Sequence, residues 1–292
     1  MAIGERDPYT GHMTTGHEWN GITELNTRVP RAVYFFLAAA VIFSIIFWLL
    51  MPAWPLGVTY TKGLLGIDQR TTVENSLEAA SAERAVWITK IVDGDFKTIQ
   101  ADASLMRAVR GTGRTLFGDN CAACHGTKAQ GGKGYPDLTD KAWLWGGDPQ
   151  TVMETLRVGI NSGHAESRVS QMPAFGRDQM LDRGAILNVM GYVRSLAQPP
   201  SSDQPSQALL SGKETFVTSC ASCHGETGKG MTETGAPNLT DGFWIYGGDD
   251  QSIYTTIFDG RQGQMPHWDT RLTPAERKIL TLYILDLASE KP

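Results

Sequence analysis

Hydrophobic residues are concentrated in one uninterrupted run near the beginning of this chain of 292 residues. Residues 32–51, AVYFFLAAAVIFSIIFWLLM, contain no charged side chain. A twenty-residue helix extends about 30 Å, which matches the hydrocarbon thickness of a bilayer. A cleaved signal peptide fits poorly, because the run is long and about thirty mostly polar residues precede it. The pattern predicts one transmembrane helix, with the lipid bilayer as its partner.

Beyond this run, apolar residues alternate with polar ones at helical spacing. Residues 72–95 place Leu77, Trp87 and Ile91 on such a stripe, which predicts a helical connector. Two later stripes, at 187–196 and 279–287, predict helices that each close one half of the remaining chain. The sequence TPAE at 273–276 is typical of a capping box, so the last helix is predicted to begin there.

The region after residue 110 is an internal repeat. PDLTD at 136–140 matches PNLTD at 237–241, and WLWGGD at 143–148 matches WIYGGD at 244–249. A stretch rich in Pro and Ser separates the two copies and reads as a linker. The predicted organisation is an N-terminal segment 1–31, the membrane helix 32–51, a largely helical connector 52–110, a first domain 111–197, a linker 198–210 and a second domain 211–292.

All four cysteines lie in two Cys-x-x-Cys-His runs, CAACH at 121–125 and CASCH at 220–224. On a helical turn, residues at i, i+3 and i+4 share one face, so two thiols and an imidazole can hold a porphyrin edge and its iron. A redox cysteine pair and half of a zinc site are alternatives, but two matches with no spare cysteine and similar downstream residues disfavour both. A disulfide within each pair would not explain either histidine. The runs predict two covalently bound c-type haems, attached through Cys121 and Cys124 and through Cys220 and Cys223, with His125 and His224 as axial ligands.

The sequence therefore predicts an all-α protein with one N-terminal transmembrane helix followed by two tandem cytochrome c-like domains. Haem c is attached on the oxidising side of a bacterial inner membrane, so residues 1–31 are expected in the cytoplasm and the haem domains in the periplasm. The formal net charge of −5 and the absence of a basic run give no indication of nucleic acid as a partner.

Two methionines are candidates for the remaining axial positions. Met172 and Met265 each occur in a Met-Pro-x-aromatic segment, where proline stiffens the loop that presents the sulfur. His164 and His267 are alternative ligands. Met172 follows His125 by 47 residues and Met265 follows His224 by 41, and this spacing leaves open which methionine serves which haem.

The assembled motifs resemble the dihaem subunit III of cbb3-type cytochrome c oxidases, the CcoP/FixP family. The most specific part is GHEWNGI at 16–22 with ELN at 24–26 and Pro30-Arg31, which is similar to the family segment ahead of its membrane helix. Asn20 stands where the family usually has Asp. PAWP at 52–55 is also similar to the family.

The resemblance implies a non-catalytic electron-transfer subunit. It would take electrons from a periplasmic donor cytochrome c and pass them through a monohaem cytochrome c subunit towards a haem–copper oxygen-reducing subunit. It also implies crossed ligation, in which His125 and Met265 bind one haem iron while His224 and Met172 bind the other.

Two other functions are compatible with the motifs. A free-standing, membrane-anchored dihaem carrier would need no oxidase, although a simple anchor has no use for the segment before the helix. A dihaem peroxidase would need an open iron position, whereas two Met-Pro loops predict two closed ones.

Overall fold

The computed structural model describes residues 5–198 and 206–290. The chain divides into two units, of which the first ends at Glu83 and the second begins at Arg84. The elements in chain order are β1 (Thr14–Trp19), β2 (Ile22–Leu25), α1 (Arg31–Leu50), α2 (Gln69–Asp93), α3 (Phe96–Ala101), α4 (Ala103–Asn120), α5 (Ala122–His125), α6 (Pro149–Val158), α7 (Arg183–Ala197), α8 (Gln207–Ser219), α9 (Ala221–His224), α10 (Asp250–Asp259) and α11 (Pro274–Glu290).

A small β-hairpin, formed by β1 and β2, departs from the all-α expectation. The strands are antiparallel, and Trp19 pairs with Ile22 across the turn. Asn20 and Gly21 both have positive φ, 49° and 85°, as a two-residue hairpin turn of the right twist requires. The Asn-Gly pair was the available sequence signal for this hairpin.

Helix α1 agrees with the predicted membrane span to within one residue at each end. It has twenty residues, and none of them is buried within the protein. An apolar helix whose side chains the protein leaves unburied is suited to a lipid environment, where every backbone hydrogen bond is made inside the helix.

The connector is not a free linker, because its second half belongs to the core of the second unit. Ile91 of α2 and Ile99 of α3 are fully buried together with Ile279 and Leu282 of α11. Helix α4 begins at Ala103, after Asp102 accepts hydrogen bonds from the backbone N–H groups of the first turn. The predicted boundary between residues 110 and 111 therefore falls inside a helix.

The last residues of the predicted linker, 207–210, are helical. Helix α8 starts at Gln207, since the Ser206 hydroxyl accepts a hydrogen bond from the Leu209 N–H at 3.3 Å. Residues 199–205 lie outside the described part of the chain. The capping box of α11 is confirmed by reciprocal bonds between Thr273 and Glu276.

Two hydrophobic cores each combine segments of both repeats. In the first core, Phe117 and Leu156 of the first repeat pack with Leu280 and Ile284 of α11. The second core contains Phe175, Ile186, Val189 and Val193 of the first repeat and Phe216, Ile253 and Ile257 of the second. The closing helices are thus exchanged: α11 packs on α4 and α6, and α7 packs on α8 and α10.

Equivalent aromatic pairs and glycines make the exchange possible. The ring of Phe117 lies 6.0 Å from that of Tyr283, and the ring of Phe216 lies 5.4 Å from that of Tyr192. A Cβ added at Gly113 would lie 2.6 Å from the Cβ of Tyr283, so glycine is required where α4 and α11 touch. Gly212 plays the same part between α8 and α7, because a Cβ there would meet the backbone of Asn188.

Candidate haem sites

Both Cys-x-x-Cys-His runs fold in the same way. Cys121 follows α4 and Cys220 follows α8, and each is continued by one short helical turn. In both runs the histidine N–H donates to the carbonyl of the first cysteine at 3.0 Å. The first cysteine is buried or half-buried, whereas Cys124 and Cys223 are exposed. Two thiols and one imidazole therefore lie on one helical turn in each half of the unit.

The repeat segments PDLTD and PNLTD orient the two histidines. His125 Nδ1 lies 3.1 Å from the Pro136 carbonyl oxygen, and His224 Nδ1 lies 3.0 Å from that of Pro237. A carbonyl can only accept, so Nδ1 carries the proton and Nε2 is left for a metal. Burial lowers the pKa of both imidazoles, which favours the neutral form that binds iron, although the carbonyl bond partly opposes this effect.

The cysteine environment argues against the redox and zinc interpretations. Burial raises the pKa of the Cys121 and Cys220 thiols to about 11, and the neighbouring cysteine adds to this shift. A redox-active or metal-binding thiolate needs the opposite shift. Within residues 5–198 and 206–290, no group of three or more His, Cys, Asp or Glu side chains is arranged to hold a metal ion. Both sites fit attachment of a porphyrin better than a bare metal.

The two Met-Pro loops lie against the opposite repeat. Met265 packs on the core that contains Cys121 and Phe117. Met172 packs on the core that contains Phe216, and the half-buried Cys220 packs on the same core. Each methionine therefore lies near the Cys-x-x-Cys-His run of the other repeat.

Backbone pairing holds each methionine loop at the end of a helix from the other repeat. Ile160, just after α6, exchanges two hydrogen bonds of 2.9 Å with Met265. Arg261, just after α10, pairs in the same way with Met172, at 2.8 and 3.1 Å. The residue before each pair is a glycine with a φ of 70°, Gly159 or Gly260, and a side chain at either would strike the backbone of the methionine loop. Sequence reasoning did not single out these two glycines.

The alternative ligands His164 and His267 are bound to a carboxylate instead. His267 Nδ1 lies 2.7 Å from one oxygen of Asp269, and His164 Nε2 lies 3.3 Å from the other. This arrangement ties the loop after α6 to the loop that carries Met265. It gives both imidazoles a partner other than iron.

A cleft of about 850 Å³ opens between the two repeats. Its walls include Pro136 and Trp143 from the first repeat and Pro237 and Trp244 from the second. Trp143 also packs on the core around Cys121, and Trp244 packs on the core around Phe216. The space adjoins both histidine carbonyl acceptors, but its lining includes none of the cysteines, histidines or methionines of the two candidate sites.

An apolar anchor helix followed by two such Cys-x-x-Cys-His sites defines a membrane-anchored c-type cytochrome with domains that take haem c. Comparison with known families gives three matches: the N-terminal domain of cytochrome oxidase-cbb3, FixP, at residues 11–58, cytochrome c at 111–197, and cytochrome c oxidase, cbb3-type, subunit III at 207–284. A cbb3-type cytochrome c oxidase subunit FixP from a Bradyrhizobium species is 41% identical over 287 residues, covering 98% of each chain. The subunit CcoP of Azospirillum brasilense is 39% identical over 298 residues and covers 100% of each. The chain belongs to the FixP/CcoP family of cbb3-type cytochrome c oxidase subunits.

These matches confirm the family resemblance and the fold class expected from the sequence. The first match includes the GHEWNGI segment. The other two coincide with the two halves of the internal repeat, at 111–197 and 207–284.

Proposed function

We propose that this protein is the membrane-anchored dihaem electron-transfer subunit of a cbb3-type oxidase. The observation that carries the proposal is the packing of each methionine on the hydrophobic core next to the other repeat's Cys-x-x-Cys-His run, which would supply both sides of two irons. Full-length similarity to FixP and CcoP subunits supports the assignment to an oxidase.

Cys121 and Cys124 would hold the first haem through thioethers, with His125 Nε2 and the sulfur of Met265 as its iron ligands. Cys220 and Cys223 would hold the second haem, with His224 and Met172 as its iron ligands. This crossed assignment is supported by the cores in which the two methionines pack, because Met265 shares a core with Cys121 rather than with Cys220.

Haem c supplies the one-electron chemistry, and the chain sets the conditions under which it occurs. Cys121 is buried and Cys220 half-buried against the two cores, and the carbonyls of Pro136 and Pro237 fix the imidazole tautomer. A thioether ligand raises the reduction potential relative to a second imidazole. The proposal assigns the chain no catalytic step of its own.

The partners and orientation follow from the same proposal. Helix α1 crosses the bacterial inner membrane, residues 1–31 lie in the cytoplasm, and both haems lie in the periplasm. Electrons arrive from a donor cytochrome c and leave through the monohaem cytochrome c subunit towards the haem–copper subunit, which reduces oxygen.

Purification of the tagged full-length protein from its own membranes tests the oxidase assignment. We expect a haem–copper subunit to co-purify and two haems to remain on the denatured chain. A chain that always purifies alone would favour the free-standing carrier. Peroxide turnover with a high-spin signal would favour the peroxidase.

Double variants test the ligand pairing directly. If Met265 and His125 bind the same iron, Met265→Ala with His125→Ala leaves one low-spin haem, whereas Met265→Ala with His224→Ala leaves none. Uncrossed ligation predicts the reverse result. Met231→Ala is the matched control, since Met231 lies in a loop outside both cores and its loss should leave two low-spin haems.

A further inference from the structure

The loop between α6 and Met172 has an extra segment that the second repeat lacks. Twelve residues separate Gly159 from Met172, whereas four separate Gly260 from Met265. The extra residues bring Arg168 back beside the start of the loop. The Arg168 N–H donates to the Gly159 carbonyl at 3.1 Å, and its own carbonyl accepts from the Asn161 N–H at 2.7 Å.

Arg168 therefore lies one backbone segment from the loop that presents Met265. Ile160 pairs with Arg168 on one side and with Met265 on the other. Asn161 strengthens this array, because its side-chain amide donates to the carbonyls of Ser170 and Gly263 at 2.8 and 2.6 Å. The position of Arg168 relative to the Met265 loop is thus fixed by backbone and side-chain bonds.

The Arg168 guanidinium has an unmet donor. It lies over the ring of Trp145, 5.0 Å from the ring centre, and its Nη2 donates to the Thr151 carbonyl at 3.4 Å. Its Nε is buried and has no partner in the described part of the chain. Nor does any carboxylate there form an ion pair with it, whereas nearby Arg157 is paired with both Glu154 and Glu166. A buried donor on a cation is costly unless an acceptor meets it.

The second repeat has a similar stack without the unmet donor. The Arg261 guanidinium lies 4.4 Å from the ring centre of Tyr246, which occupies the repeat position of Trp145. Its Nε and Nη2 both donate to the Thr256 hydroxyl, at 3.1 and 2.9 Å. Of these two stacked arginines, only Arg168 keeps a buried Nε donor without a partner in the described part of the chain.

We propose that Arg168 Nε binds a propionate carboxylate of the haem attached to Cys121 and Cys124. The inference rests on the proposed function, and in particular on Met265 facing that haem. The Trp143–Trp145 segment supports the placement, since Trp143 packs in the core around Cys121 while Trp145 carries the guanidinium. Propionates are the carboxylates of haem, and a guanidinium–carboxylate bond is a strong, charge-assisted one.

Arg168 is then a positioning residue that raises the reduction potential of the first haem. An uncompensated propionate favours the oxidised iron, which carries one more positive charge than the reduced iron. A cation bonded to the propionate removes that preference in a site of low dielectric constant. Arg261 is already bonded to the Thr256 hydroxyl through Nε and Nη2, so it makes no equivalent contribution to the potential of the second haem.

Redox titration of the full-length holoprotein tests this inference. We expect Arg168→Gln to lower the midpoint potential of the first haem and to leave that of the second unchanged. Arg168→Lys keeps the charge near the carboxylate and should restore part of the shift. His224→Ala and His125→Ala backgrounds, which each retain one intact low-spin haem, assign the two potentials without reference to methionine pairing.

Arg157→Gln is the matched control, because that arginine stands in the same region but is paired with two carboxylates. An unchanged first potential in Arg168→Gln, or an equal fall in Arg157→Gln, would overturn the inference. So would a fall confined to the second haem. If Arg168→Gln does not fold, Arg168→Lys is the decisive variant. The inference would be overturned if Arg168→Lys bound the first haem as well as the wild type and left its midpoint potential unchanged. Co-purification with the haem–copper subunit is measured separately, so a failure of the oxidase assignment can be distinguished from a failure of this inference.

Discussion

Gly159→Ala should weaken a methionine ligand in the other repeat. Gly159 has φ 70° and ψ −172°, a backbone region that is occupied almost only by glycine. An added Cβ would also lie 2.5 Å from the Met265 carbonyl oxygen and 2.8 Å from the His267 nitrogen. The strain alone costs about 1 to 3 kcal/mol. The Met265 loop must move away or Gly159 must change conformation.

The predicted effect is a change in the equilibrium between bound and released Met265. Because each 1.4 kcal/mol is about a factor of ten, the released state should gain roughly 5- to 150-fold. Imidazole added to the oxidised holoprotein can bind only when methionine has left, so its apparent affinity for that haem should rise by the same factor. Titration in His224→Ala and His125→Ala backgrounds identifies the responding haem.

Crossed ligation requires the haem attached to Cys121 to respond, even though Gly159 belongs to the same repeat as Met172. Gly163→Ala is the control, because it changes the same loop at a site where nothing lies within 4 Å of the added carbon. A response of the second haem instead would refute the crossed assignment. No response from either haem would refute the role of Gly159 in holding the loop.

Three further perturbations follow from the exchange of closing helices. Truncation after residue 205 removes α8 to α11 together with Met265, so the first haem should lose its methionine ligand. A His/Met spectrum of that haem in the truncated holoprotein would contradict the crossed assignment. Arg110 donates two hydrogen bonds to Asp286, at 2.7 and 2.8 Å, and Arg110→Met should lower the free energy of unfolding by up to about 1 kcal/mol in urea titrations. Lys278 donates to the Val92 carbonyl at 3.0 Å and also to that of Gly94, so Lys278→Met should cost about 1 to 3 kcal/mol and speed amide exchange at the end of α2. Unchanged urea midpoints would show that these bonds do not tie the connector and the first repeat to α11.

The sequence was sufficient to predict the membrane-length helix and the two closing helices, but not the partners of the closing helices. Helices α7 and α11 carry similar apolar stripes, and Tyr192 and Tyr283 hold equivalent positions on them. Phe117 and Phe216 each stand four residues before a cysteine, so either tyrosine can meet either phenylalanine. A hydrophobic pattern specifies which face of a helix is buried, not which of two similar surfaces covers it.

The predicted start of the first haem domain, residue 111, lies inside α4 rather than at a helix end, although the cytochrome c family match also begins there. The repeat becomes recognisable at Gly111, but α4 begins at Ala103 and packs with residues of the connector. Ile91 and Phe96 have no counterpart in the second repeat, so comparison of the two copies could not include them. Only the structure shows that Ile91 and Phe96 are buried against α11.

Placing each methionine loop against the other repeat costs the chain little free energy. His125 and Met265 are 140 residues apart, compared with 47 for His125 and Met172. A threefold longer loop costs only about 1 kcal/mol in closure entropy. Two backbone hydrogen bonds between Ile160 and Met265 contribute about as much in the opposite direction.

The exchange also connects the two methionine loops to each other. Met172 pairs with Arg261, which lies four residues before Met265, and Met265 pairs with Ile160, at the start of the segment that ends in Met172. Displacement of either loop therefore strains the anchor of the other, which is the physical basis for treating the two sites as one unit. The extra segment that carries Arg168 adjoins the Ile160–Met265 connection and has no counterpart at the Arg261–Met172 connection. A pair of nearly identical sites can in this way acquire two different potentials while sharing one fold.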